Sequence, residues 1–260
     1  MRIMFAGDVC GRTGRNALRE SLPILRREFG PFDFVIVNCE NAASGFGITE
    51  KVMNDLFDLG IDVMTSGNHI WDKKEFLRVL DKERRVLRPA NYPPGASGTG
   101  YGVFGHKGLR LGVINLQGRA FMNPIDCPFR KSDEILSDMD ATSIFVDFHA
   151  EATAEKVAMA LYLDGRVSAI AGTHTHVQTA DESILPGGTA YITDAGMTGG
   201  HGGVIGNSYE SVIPKFLNGT PSKFEIERSK PRAQGVIVDI DNESGRALDI
   251  QRFNIPVGEQ

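Results

Sequence analysis

The chain has little from which to build a disulfide scaffold, a membrane span or a nucleic-acid surface. Its three cysteines, Cys10, Cys39 and Cys127, are odd in number and irregularly spaced, so they define no disulfide framework. No uninterrupted apolar run approaches the ~18 residues that a bilayer-spanning helix requires. The start, Met1-Arg2-Ile3-Met4-Phe5-Ala6-Gly7-Asp8, passes straight into a strand and a polar turn, which argues against a signal peptide. Positive charge is not in excess: 28 Lys and Arg face 33 Asp and Glu, a formal net charge of −5. The molecule as a whole is therefore not prepared for long nucleic acid, although a metal could supply local positive charge to a small anionic substrate. These absences predict a cytoplasmic protein with reduced thiols and no membrane association.

What is present suits a layered enzyme. The 260 residues, 41% of them apolar, can bury a substantial core, and a single domain over 1–260 is expected. Residues 89–108 are dense in Gly and Pro and read as an irregular loop or lid, part of a small insertion around 72–108. Apolar runs predict strands at Ile3–Ala6, Phe34–Asn38, Val63–Ser66, Leu111–Asn115, Ser143–Phe148, Ser168–Ala171 and Ala190–Thr193. Helical spacing marks Arg15–Phe29, with Pro23 expected to kink or split it, Thr49–Leu59 with Thr49 as N-cap, and Ala152–Leu163. Strand–helix alternation gives an α/β layered sandwich. Gly235–Ile240 and Arg246–Phe253 alternate around Asn242-Glu243-Ser244-Gly245 as a hairpin, so the sheet is expected to be mixed.

Metal-type residues sit at the ends of these strands. They are Gly7-Asp8-Val9-Cys10, Asn38-Cys39-Glu40-Asn41, Gly67-Asn68-His69, Asp147-Phe148-His149, Gly172-Thr173-His174-Thr175-His176 and, with less weight, Asp194. In open α/β sheets the carboxyl ends of strands converge on one edge, where ligands bind. Each site alone has an ordinary alternative. Asp8 suits a turn, Asn68-His69 an Asx-type turn, His149 a satisfied core position, and Glu40 a solvated loop. Asp147 is a partner candidate for His149, read as facing the opposite side of the strand. In an extended chain His174 and His176 point the same way. All the ordinary alternatives holding together at one edge is hard to accept. The donors are oxygen and nitrogen, with no need of thiolate, and are more numerous than one ion requires. They predict a dinuclear centre of Fe or Mn, with Zn also suitable.

Other features are weaker. Gly100-Tyr101-Gly102-Val103-Phe104-Gly105 spells G-x-G-x-x-G without the strand–turn–helix setting of a dinucleotide fold. Gly11-Arg12-Thr13-Gly14-Arg15 lacks the P-loop ending and reads as a solvated turn. Lys82–Arg88 reads as a charged helix face in preference to an RNA contact. Gly-rich Asp194–Gly206 suits a substrate or subunit lining and a flexible loop equally well. Cys10 and Cys39 should lie near the metals, either packed in the core or oxidation-sensitive.

The order of these motifs resembles that of calcineurin-like metallophosphoesterases: D-x-H, G-D-x-x-D, G-N-H followed by D or E, a single His, then G-H-x-H. Here Cys10 stands at the first His, Glu40 at the bridging Asp, and one extra residue separates Gly172 from His174. Gly7–Arg15, Asn38–Asn41, Ser66–Trp71, Asp147–Glu151 and Gly172–Thr179 are similar to one branch, the bacterial 2′,3′-cyclic-nucleotide 2′-phosphodiesterases. The resemblance implies an α-β-β-α sandwich with mixed sheets. It implies one metal held by Asp8, Glu40, Asn41 and His176, and a second by Glu40, Asn68, His149 and His174. Glu40 bridges the two, Asn41 replaces the missing His, and His69 is the general acid. The implied reaction opens a 2′,3′-cyclic nucleotide to a 3′-nucleotide by attack of a metal-bridging hydroxide. Two alternatives stay open: a phosphomonoesterase or 5′-nucleotidase on the same centre, and an RNA-associated regulatory scaffold. An RNA-related role and a homo-oligomer are also open.

Overall fold

The computed structural model describes residues 1–258. The elements in chain order are β1 (Arg2–Ala6), β2 (Asp8–Val9), α1 (Gly11–Phe29), β3 (Phe34–Asn38), α2 (Glu50–Phe57), β4 (Val63–Thr65) and α3 (Leu77–Leu80). They continue with β5 (Tyr101–His106), β6 (Leu109–Gln117), α4 (Pro128–Asp138), β7 (Ser143–His149), α5 (Thr153–Leu163) and β8 (Ala169–Thr173). The last are β9 (Ser183–Ile184), β10 (Ala190–Ile192), β11 (Met197–Gly200), α6 (Tyr209–Asn218), β12 (Pro231–Ile240) and β13 (Ala247–Pro256).

Two mixed sheets form. One runs β2-β11-β12-β1-β3-β4, with β13 also paired to β12, and the other runs β5-β6-β7-β8-β10-β9. The central strands are apolar on both faces because both faces are covered. In β1, Ile3 and Phe5 join Phe34, Ile36, Val113, Phe145 and Val236 in a core between the sheets, where the Phe5 and Phe145 rings meet at 4.9 Å. Met4 and Ala6 point the other way, onto Leu18, Leu22 and Leu25 of α1 and Leu56 of α2. Beyond the second sheet, Ile144, Val146 and Phe148 pack on Ile135 of α4 and on Met159 and Leu163 of α5. The layers are therefore α-β-β-α, and each large buried side chain contributes roughly 1.5–3 kcal/mol. Thr49 caps α2, its Oγ1 accepting from the Val52 amide at 3.3 Å.

Several local expectations are corrected. Gly11–Arg15 is no solvated turn but the first turn of α1, and Gly14 lies so close to β11 that a Cβ would fall 2.2 Å from the Thr198 carbonyl oxygen. Pro23 does not split α1; its ring is on the exposed face while Leu18, Leu22 and Leu25 hold the buried one. The segment read as an irregular loop over 89–108 contains β5, an edge strand antiparallel to β6, and this strand carries the G-x-G-x-x-G decoy. Lys82–Arg88 is not a helix face. It is turn followed by bridge residues, with Val86 and Leu87 fully buried. Met197–Gly200, read as part of a Gly-rich loop, is a buried strand parallel to β2 and antiparallel to β12. Among the described residues, no helix is long and apolar enough to cross a membrane.

Parallel pairing aligns the strand ends that matter. Asn38 lies beside Thr65, and His149 beside both Gln117 and Thr173. Asp8 is in register with Met197.

Candidate metal centre

The strand ends deliver a tight cluster. His149 Nε2 lies 3.1 Å from Glu40 Oε1, 3.2 Å from Asn68 Oδ1 and 3.0 Å from His174 Nδ1. Asp8 Oδ1 is 3.9 Å from His149 Nδ1 and 3.9 Å from His176 Nε2. Asp8 Oδ2 accepts from the His174 amide at 3.1 Å. Asn41 is buried at the start of α1, its carbonyl accepting from the Gly11 amide at 2.9 Å. Glu40, His149 and His174 form a group whose donor atoms all lie within 4.8 Å of one another.

Two oxygens test whether a cation fits. Asp8 Oδ1 and Asn41 Oδ1 are buried and have no hydrogen-bond partner. Leaving such atoms unpaired costs ~1–3 kcal/mol each, more for a charge. A proton on His149 Nε2 can satisfy only one of its three close neighbours, whereas a cation satisfies all. Ligand atoms ~2.1 Å from a common ion stand roughly 3 Å apart, which is the spacing seen here. The donor set fits hard or borderline divalent ions.

Without a cation the cluster is electrostatically frustrated. Burial raises the Asp8 carboxyl. Burial also opposes ionisation of Glu40, but the His149 imidazole outweighs it and holds Glu40 at about 2. Burial disfavours charge on His149, yet Glu40 and Asp8 raise it to about 9. Burial and the adjacent His149 push His174 down to about 3. Carboxylates and imidazoles pulled so far apart in one small volume are a mark of functional sites.

Outer contacts fix the donors. His149 Nδ1 pairs with Thr173 Oγ1 at 2.9 Å, and that hydroxyl donates to Asp147 Oδ1 at 2.7 Å. The expectation that Asp147 faces away from His149 is corrected: residues two apart on a strand share a face, and Thr173 links them. Asp147 also accepts from Asn38 Nδ2 at 2.9 Å and from the Thr65 hydroxyl at 2.5 Å. It therefore ties together the ends of β3, β4, β7 and β8. Gly67 leaves the space Glu40 and His149 occupy, since a Cβ there would fall 2.2 Å from His149 Nε2 and 2.3 Å from Glu40 Oε2.

The H-x-H segment is not extended. β8 ends at Thr173, and His174 and His176 have φ of 94° and 63°, left-handed values that strain non-Gly residues. Their rings meet the cluster from a turn, with His176 Nδ1 on the Ile205 carbonyl at 3.0 Å. Between them, the Thr175 amide and hydroxyl both donate to Asp194 Oδ2, at 3.2 and 2.5 Å. Lys156 Nζ donates to the same oxygen and to Thr175 Oγ1, at 2.9 Å each, from a side chain 1% exposed. This clamp was missed in the sequence. The signal was Lys156 at the head of a buried helical stripe with Met159, Ala160 and Leu163.

His69 stands apart from the donors. Its amide donates to Glu40 Oε2 at 3.2 Å, and its Nδ1 pairs with Asp72 Oδ2 at 2.8 Å. Asp72 was also missed, although residues three apart in a 3₁₀ turn share a face. Cys10 and Cys39 are buried, and burial pushes Cys10 up to about 12 and raises Cys39 as well, so both are core thiols. Arg15 bonds the Ala42 carbonyl. Arg12 lines a groove of about 1150 Å³, and the Asp8, Glu40, Asn68, His149 and His174 side chains are not part of its lining.

The comparisons agree with this geometry. The chain is 48% identical to the 2′,3′-cyclic-nucleotide 2′-phosphodiesterase of Bacillus subtilis, over 98% of this chain and 97% of that one. A crystal structure of a hypothetical protein from Thermus thermophilus matches at 42% identity and TM-score 0.93, covering 98% and 99% of the two chains. A structure titled a novel phosphatase from Mycoplasma pneumoniae matches at 35% identity and TM-score 0.94, covering 98% and 93%. Solved 5′-nucleotidases at 17% and 14% identity share the fold, with TM-scores of 0.59 and 0.56. The fold is thus the one these 5′-nucleotidases have. The YmdB-like protein model matches residues 4–253, and the chain belongs to that family.

Proposed function

We propose that this chain is a dinuclear metal-dependent phosphodiesterase that converts 2′,3′-cyclic nucleotides to 3′-nucleotides. The convergence of Glu40, Asn68, His149 and His174 on one point carries the reading, together with the phosphodiesterase name of the 48%-identical relative. That name favours a diester over the monoester alternative.

Asp8, Glu40, Asn41 and His176 would hold one ion, and Glu40, Asn68, His149 and His174 the other. Donors of oxygen and nitrogen suit Fe or Mn, and also Zn. When bound, such ions supply positive charge to phosphate oxygens and lower the pKa of water. The chain's own residues do the rest. The Thr173–Asp147 relay fixes Nδ1 of His149, which leaves Nε2 as the nitrogen that would hold an ion. Asp72 engages Nδ1 of His69, which leaves Nε2 to carry a proton to the departing 2′-oxygen. A ribose 3′-phosphate is then left.

The test sets 2′,3′-cyclic AMP beside AMP with the metal-loaded protein. Rapid opening of the cyclic diester with little release of phosphate from AMP is expected. Preferential hydrolysis of AMP would overturn the proposal in favour of a phosphomonoesterase.

A further inference from the structure

The centre is rich in carboxylates and imidazoles, yet one aromatic side chain stands open beside it. Phe46 is 40% exposed, while Ala43, Gly45, Gly47 and Ile48 around it are buried. Its ring meets the His69 ring edge-on, with centroids 4.9 Å apart and planes at 67°.

The loop that carries it is firmly held. The Ala43 amide donates to the Gly47 carbonyl at 2.9 Å, and the Gly45 amide to the Asn41 carbonyl at 3.1 Å. Asn41 Nδ2 returns a bond to the Gly45 carbonyl at 3.0 Å, and the Arg15 guanidinium bonds the Ala42 carbonyl. The exposed ring is therefore mounted on a braced loop, not carried on a free tip. Apolar surface kept open beside reacting groups is where the apolar part of a ligand binds.

Substrate connectivity says which part that is. In a 2′,3′-cyclic nucleotide the departing O2′ is bonded to C2′, C2′ to C1′, and C1′ to the base. Once His69 is within ~2.6–3.2 Å of O2′, the base lies only three bonds beyond that oxygen. Phe46 is the exposed aromatic ring in contact with His69. We propose that Phe46 is the base-stacking platform of the substrate site, a specificity-determining residue that favours nucleoside cyclic diesters over cyclic diesters without a base. This assignment rests on the 2′,3′-cyclic phosphodiesterase reading above. A phenyl face has no hydrogen-bonding groups, so it reads the presence and area of a base, not its identity. Purines should be favoured modestly over pyrimidines.

The test compares 2′,3′-cyclic AMP with glycerol 1,2-cyclic phosphate, which has the same five-membered cyclic diester and no base. In the wild type, kcat/KM should favour the nucleotide. F46A should shrink that preference about tenfold, mainly through KM for the nucleotide, and F46W should restore it. If F46A lowers kcat on both substrates by the same factor, Phe46 acts by orienting His69 and the stacking role is overturned. An unchanged preference in F46A overturns it as well. F46L, which keeps apolar bulk against His69 without an aromatic face, should resemble F46A in preference; wild-type behaviour in F46L would also overturn the role. A wild type that opens neither cyclic diester removes the parent reading and the stacking role together. A wild type that opens both, with F46A retaining the preference, removes the stacking role alone.

Discussion

At the scale of single residues, the site separates groups that would hold ions from the group that would move a proton. Glu40 sits at the junction: one carboxylate oxygen faces His149 and the other accepts from the His69 amide. Glu40→Gln keeps the shape and removes the charge, so the purified variant should lose bound metal and activity together, as elemental analysis would show. The His69 ring is held by Asp72, and His69 is not among the Glu40, His149 and His174 group of converging donor atoms. His69→Ala should therefore lower kcat by ~10²–10⁴-fold while metal content stays near the wild-type value. A His69→Ala protein that purifies without metal would move His69 into the ligand set.

At the scale of elements, the design is a row of strand ends held in register, with turns supplying the donors. Much of this was legible in the sequence. Strands buried on both faces leave continuous apolar runs, so β1, β3, β4, β7, β8 and β10 were evident, as were α2 and α5 and the β12–β13 hairpin. The elements that escaped notice lack such runs. β11 is Met-Thr-Gly-Gly and four of the six residues of β5 are Gly, Tyr or Phe, and both owe their strand form to neighbours, not to propensity. The shape of the His174-Thr175-His176 turn was also hidden, because a left-handed φ at histidine is imposed by tertiary contacts. Lys156 and Asp194 impose it through Thr175. Lys156→Met keeps most of the bulk but removes one of the two groups that hold Thr175, so affinity for Mn²⁺ should fall about 10–100-fold, as a titration of metal-free protein would measure. Unchanged affinity would mean that Asp194 alone holds the turn.

At the scale of the whole molecule, the two sheets meet in one apolar core, and their carboxyl edges share one polar cluster. Asp147 illustrates the coupling, since its carboxylate takes hydrogen bonds from Asn38 and Thr65 of one sheet and from Thr173 of the other. Ions bound to the adjacent donors would brace the same edge. Removing them should lower stability by mass action and leave buried charges uncompensated. Dialysis against a chelator should lower Tm by several degrees, and added Mn²⁺ should restore it. An unchanged Tm would show that the layers stand without the ions. The central claim, a metal-dependent opening of a 2′,3′-cyclic nucleotide with departure of the 2′-oxygen, is tested most directly by ³¹P NMR of 2′,3′-cyclic AMP hydrolysis with metal-loaded protein. The account predicts 3′-AMP as the sole product; 2′-AMP, or substrate left intact, would contradict it.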